Sequence, residues 1–200
     1  MAFIKPRPDA PDPLTVAREK IAADLGYDLG LPVAPVVVKN PCDQWQRPSA
    51  VSLVCLGAGR AWGTGTDALR AQAAPALEAL RVFWTWIGDD DHKGHHENLL
   101  YAVENGVVKL SAIDHARSLG HGMRGDLLEI PASIGYGAAR LPGADEARRA
   151  LVERIAALPT EGIAAIVRRL GSILTVAEQE MILEVLQVRS EALTRLLSKG

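Results

Sequence analysis

Asn105-Gly106 stands between two apolar-rich runs, 98–103 and 107–113. Both central residues of a type I′ turn need positive φ, and Asn-Gly adopts it readily, so this dipeptide predicts a two-residue β-hairpin. Such a turn sets the register. It pairs Glu104 with Val107 and continues until Asn98 lies opposite Ile113. The Asn98 amide and the Asp114 carboxylate are therefore expected at one end of the hairpin, with Asp91 entering from the loop before it.

That loop, W-I-G-D-D-D-H-K-G-H-H-E-N, is the most unusual segment of the chain, and all five histidines lie between positions 92 and 121. Leu69, Ala73, Leu77, Leu80, Trp84 and Ile87 recur at helical spacing and predict a helix leading into it. Upstream, Asp12-Pro13 reads as a cap and first helical residue, with Leu14, Ile21 and Leu25 on one face and Gly30 as the stop. Val33–Val38 and Val51–Leu56 read as strands. The last third reads as helical: Leu151, Ile155 and Leu158 form a stripe stopped by Pro159, a short helix ends near Gly171, and Thr175-Val176-Ala177-Glu178 is a capping box.

Composition narrows the function. Apolar residues are 48% and charged residues 23%, ordinary for a globular chain. A net charge of −2 gives no electrostatic footprint for nucleic acid or an anionic membrane. Leu31–Val38, the longest strongly apolar stretch, is far shorter than the ~20 residues that span a bilayer. With no apolar h-region in the first ten residues, the expectation is a soluble, cytoplasmic protein. Cys42 and Cys55 alone make neither a disulfide framework nor a zinc site.

An amide oxygen and a carboxylate are hard ligands suited to Mg²⁺, which commonly shares itself with substrate phosphates. A separate Asp beside them can orient a hydroxyl or accept its proton. These are the minimal parts of a phosphoryl-transfer site, where positioning and charge neutralisation do most of the catalysis.

The order D-x-x-x-x-x-x-N-L-L, a short hairpin and then I-D-H resembles the catalytic and metal-binding segments of HipA-like serine/threonine kinases. The more distant phosphatidylinositol kinases share the plan of an Asp, an Asn and an I-D-[FH] turn. Asp91-His92, Asn98-Leu99-Leu100 and Ile113-Asp114-His115 carry the match. The resemblance implies that Asp91 is the catalytic aspartate, that Asp114 and Asn98 are metal ligands, and that the cofactors are ATP and Mg²⁺. F-I-K-P and R-E-K-I-A-A-D-L-G-Y-D-L-G-L-P-V resemble the family's lysine strand, glutamate helix and exit. That implies nucleotide-binding roles for Lys5 and its ion-pair partner Glu19. The helical wheel offers the alternative of a solvated Glu19, roughly 130° from the apolar stripe. The fold implied is α+β and protein-kinase-like, with a truncated small lobe (1–63) and a mainly helical large lobe (64–200).

Two departures keep other readings open. His96 stands where the family has an Asn, and only four residues precede Lys5, leaving no room for strands and a glycine-rich loop over the phosphates. Gly57, Gly59, Gly63 and Gly65 read as a flexible interlobe connection rather than that loop. The leading reading is a phosphotransferase acting on Ser/Thr hydroxyls of a protein substrate or of the chain itself. The second is a catalytically degenerate kinase fold, a binding module or one half of a split kinase, completed by a small-lobe or antitoxin-like partner. The third is a transition-metal hydrolase using His92, His95, His96, Asp114 and His115.

Overall fold

The hairpin forms in the expected register. In the computed structural model, β5 (Leu99–Glu104) and β6 (Val107–Ala112) pair antiparallel from Glu104–Val107 to Leu99–Ala112. Asn105 and Gly106 take φ values of 53° and 78°, as a type I′ turn requires. The Ile113 N–H then donates to the Asn98 carbonyl at 2.9 Å, so the ladder reaches the residue before Asp114. The structure describes residues 2–4, 13–39, 48–53, 56, 59–89, 91–92, 95–119 and 144–197.

Among those residues there are two small antiparallel sheets. In the first, β3 (Ser49–Leu53) lies between β1 (Ala2–Ile4) and β2 (Val36–Lys39). In the second, β5 lies between β6 and β4 (Arg60–Ala61). β4 and the 3-10 turn after it, Trp62–Thr64, correct the expectation of a flexible connection there. β5 has an open edge, and Arg60 and Ala61 pair with Tyr101 and Leu100 along it. Trp62 is buried edge-on against the Tyr101 ring, at 5.6 Å.

Five helices complete the described chain: α1 (Pro13–Asp28), α2 (Asp67–Ile87), α3 (Ala144–Ala156), α4 (Thr160–Arg168) and α5 (Val176–Leu197). Gly30, at φ 58°, follows the end of α1. Thr66 caps α2 by accepting the Leu69 N–H. The capping box opens α5, with Thr175 N donating to Glu178 at 2.7 Å and Glu178 N to the Thr175 hydroxyl at 3.3 Å. α2 packs against α3 and α5.

One apolar core takes Ile21 and Leu25 from α1, Leu80, Phe83 and Trp86 from α2, Leu151 and Ile155 from α3, and Ile182 and Leu186 from α5. It therefore draws on both sides of residue 63. Backbone bonds cross the same boundary: Ala34 N donates to Ala112 O and Ala112 N to Pro32 O. The chain is mixed helix and antiparallel sheet. No helix among the described residues is long and apolar enough to cross a membrane.

α1 departs from its wheel. Residues 17–19, 21–23 and 25–26 are all buried, because the helix is covered by β2 and β3 and by α4 rather than along one stripe. Glu19, placed by the wheel in solvent, is 4% exposed.

Candidate functional site

The C-terminus of α2 begins the site. Gly88 takes the left-handed conformation, φ 67° and ψ 36°, and turns the chain off the helix axis. Glycine reaches that region without the Cβ penalty other residues meet. The last carbonyls of α2 are satisfied from α5: Arg189 Nε lies 2.9 Å from Thr85 O and 3.0 Å from Trp86 O, in the protein interior. Trp86 Nε1 donates in return to Leu186 O at 2.9 Å. This end of α2 is thus anchored before the loop leaves it.

Asp89 follows, 1% exposed. Its Oδ1 accepts the backbone N–H of Asp91 at 3.0 Å and of His92 at 3.4 Å, so the carboxylate folds the loop around itself. Its Oδ2 lies 3.0 Å from Nδ1 of both His92 and His115. Burial by itself would push the Asp89 carboxyl up, but the hydrogen bond from His115 holds it well below the usual carboxylate range. His115 is pushed down, chiefly by burial. His92 is stacked on Trp84 at 4.4 Å and on His115 at 4.7 Å. Its Nε2 donates to Ile113 O at 2.9 Å, because a carbonyl can only accept.

Outside this buried knot lies the face that the sequence singles out. Asn98 Nδ2 donates to Asp91 Oδ2 at 2.9 Å, with Asn98 8% exposed. The other Asp91 oxygen faces Arg117 Nη1 at 3.4 Å and His95 Nε2 at 3.6 Å. His95 sits in solvent and is pushed up by its hydrogen bond to Glu97, then by the charge of Asp91. Asp114 follows directly on Ile113, which is bonded to Asn98, and is held at φ 66°. A non-glycine residue in this left-handed region is uncommon, and such positions cluster where a chain is held for function. On its C-terminal side, the His115 N–H donates to Glu19 Oε2 at 2.9 Å.

Asp91 and Asn98 are therefore in contact, Asp114 stands at the same hairpin end, and Glu19 from α1 grips the residue after it. Lys5 lies outside the described residues, as does the His96 side chain, so the expected Lys5–Glu19 pair lies outside them too. His92 and His115 meet, with Asp89 between them, while His95 turns to Asp91 and Glu97. The reading of the sequence missed Asp89 and Arg117. The signal for Asp89 was present: a left-handed glycine after an apolar helix, then an Asp three residues before a His. No family model matches the chain, and no relative was found among curated proteins.

Asn98 and Asp114 carry the oxygen-donor types that a hard cation takes. The Asn98 amide nitrogen is turned to Asp91, so its oxygen is the atom of that side chain suited to a ligand role. The buried set of Asp89, His92 and His115 has different chemistry, two imidazoles and one carboxylate.

Proposed function

We propose that this chain is a HipA-like, ATP- and Mg²⁺-dependent phosphotransferase acting on Ser/Thr hydroxyls of a protein or of itself. In this reading residues 1–63 form a reduced small lobe and residues 64–200 the catalytic-type lobe of a kinase-like fold. The observation that carries it is the pair of contacts around the hairpin end. Asn98 orients Asp91 at 2.9 Å, and Glu19 holds the backbone next to Asp114 at 2.9 Å. Together they support the reading, because they tie Asp91 to the buried Asn98 and the backbone after Asp114 to the buried Glu19.

Mg·ATP would supply the transferable phosphoryl group and much of the charge neutralisation. Asp91 orients the acceptor hydroxyl and takes up its proton. Asn98 and Asp114 present oxygen atoms to the metal. Arg117, beside Asp91 and half in solvent, is a further cation within reach of an anionic substrate. Glu19 keeps the Asp114 segment in place through a backbone contact, a positioning role.

A second reading has its own support. Both oxygens of Asp91 face partners from its own chain, Asn98 on one side and Arg117 and His95 on the other. That suits a degenerate kinase fold working as a binding module, or as a half completed by a small-lobe or antitoxin-like partner. Calorimetric titration of Mg·ATP into the wild-type chain, with Asp114→Asn as control, separates the two. Saturable binding lost in the variant supports the phosphotransferase; no binding in either favours the partner-dependent reading.

A further inference from the structure

The protons and lone pairs of the buried knot do not balance. His92 spends its Nε2–H on the Ile113 carbonyl, so a neutral ring has a lone pair at Nδ1. That Nδ1 stands 3.0 Å from Asp89 Oδ2, a charged oxygen with lone pairs of its own. Two lone pairs at that distance repel unless a cation lies between them. A proton is a poor answer, because the contact lies off the ring's donor direction and Nδ1 is left without a hydrogen bond. Across the knot, His115 donates Nδ1–H to the same oxygen at 3.0 Å, and its Nε2 is buried without a partner.

We propose that Asp89, His92 and His115 bind one divalent transition-metal ion, Zn²⁺ by preference, through Asp89 Oδ2 and the Nδ1 atoms of both histidines. Two of the three donor separations are close to what such an ion needs, and all three donor atoms lie within 4.8 Å of one another. Tetrahedral zinc with bonds of about 2.0 Å holds its ligand atoms roughly 3.3 Å apart, and Oδ2 here is 3.0 Å from each nitrogen. His92 has the partner typical of a zinc-bound histidine: its remote N–H donates to a backbone carbonyl, which fixes the tautomer and leaves the other nitrogen for the metal. On binding, any proton at His92 Nδ1 leaves to solvent, and the single proton of His115 moves from Nδ1 to Nε2. The two rings are stacked at 22°, so an ion reaches the plane of both only when His115 turns, which leaves the His92 bond to Ile113 intact. With all three side chains at most 1% exposed and a water completing the four-coordinate shell, the ion braces the loop before Asp91 against the segment after Asp114. This centre does not depend on the phosphotransferase reading and differs in ligands from the Asn98–Asp114 end.

The test uses the full chain without a histidine tag, stripped with EDTA and titrated with Zn²⁺ alone or Co²⁺ alone. One equivalent should bind, with a change in tryptophan emission because Trp84 is stacked on His92 at 4.4 Å. Bound Co²⁺ should show the strong visible bands of a four-coordinate nitrogen–oxygen site, a readout that needs no variant. His92→Gln should weaken binding at least about tenfold, while His95→Gln, which removes an exposed ring, should leave it unchanged. Stoichiometric binding lost in His95→Gln but kept in His92→Gln would overturn the assignment. So would no binding by the wild-type chain, or a Co²⁺ spectrum of octahedral type.

Discussion

Glu19 Oε2 accepts the backbone N–H of His115 at 2.9 Å, joining residues 96 positions apart. The contact is buried, and it ties α1 to the segment that carries Asp114. A buried carboxylate that satisfies a backbone donor cannot be removed without leaving that donor unpaired. Glu19→Ala is therefore expected to destabilise the chain by about 1–3 kcal/mol, read as a lower urea midpoint with unchanged slope. A wild-type midpoint would show that the contact contributes nothing in solution.

Asp91 and Asp114 should fail differently. Asp91→Asn retains the Asn98 side and is expected to bind Mg·ATP as the wild type does, while phosphate incorporation falls by at least about a hundredfold. Asp114→Asn removes a carboxylate ligand and should weaken Mg·ATP binding itself. Calorimetry paired with radiolabel transfer distinguishes them, and wild-type transfer by both variants would remove these residues from the site.

The stability of the metal-free chain should fall as pH drops from neutral. Asp89 is held below its ordinary value of 3.8, so its contribution is present above that value and is lost as pH falls through its lower folded value. His115 is pushed down from 6.5, so the unfolded chain takes up its proton first and stability already declines below 6.5. His95 is pushed up and acts in the opposite sense, favouring the fold at low pH, but it lies in solvent where screening leaves little. Thermal melts of the EDTA-stripped chain from about pH 7.5 to about pH 2 should show a steady loss, first from His115 below 6.5 and then from Asp89 below 3.8. Asp89→Asn should flatten the acid end of that profile.

The anchor of α2 can be probed apart from the chemistry. Gly88 sits at φ 67°, and an added Cβ would lie 3.5 Å from the Arg189 guanidinium carbon. There is room, so the cost of Gly88→Ala is the left-handed backbone itself, about 1–2 kcal/mol. Arg189→Leu removes the side-chain donor to the Trp86 carbonyl and leaves Thr85 O only the Gly88 N–H at 3.4 Å, and should cost about 1–3 kcal/mol. Circular dichroism melts of both variants check these values. A melting point in Gly88→Ala equal to wild type would mean the turn relaxes out of the left-handed region.

Local elements were legible because their causes are local. Asn105-Gly106 dictated the turn, and with it the pairing that sets Asn98 against Ile113. The period of Leu77, Leu80, Trp84 and Ile87 marked α2, and Thr175 with Glu178 marked the start of α5. Each depends on residues a few positions apart, which the chain itself holds together. The same reasoning misjudged Glu19, since a wheel assumes one dry face, and α1 is covered on several by elements distant in sequence. It also misjudged the glycine-bearing stretch before α2, because a two-residue strand is specified by the open edge it meets and not by its own composition.

The amino-acid sequence by itself determined that Asp91, Asn98 and Asp114 converge on one hairpin end. Turn type and strand period leave no other arrangement for the last two, and Asp91 is only seven residues from Asn98. Tertiary structure alone decided that Asp89, His92 and His115 share one buried point and that Glu19 closes on the backbone beside it. Those contacts follow from how α1, α2 and the hairpin pack. In the interior each polar group must find a partner, and which partner is within reach depends on the packing of the whole chain.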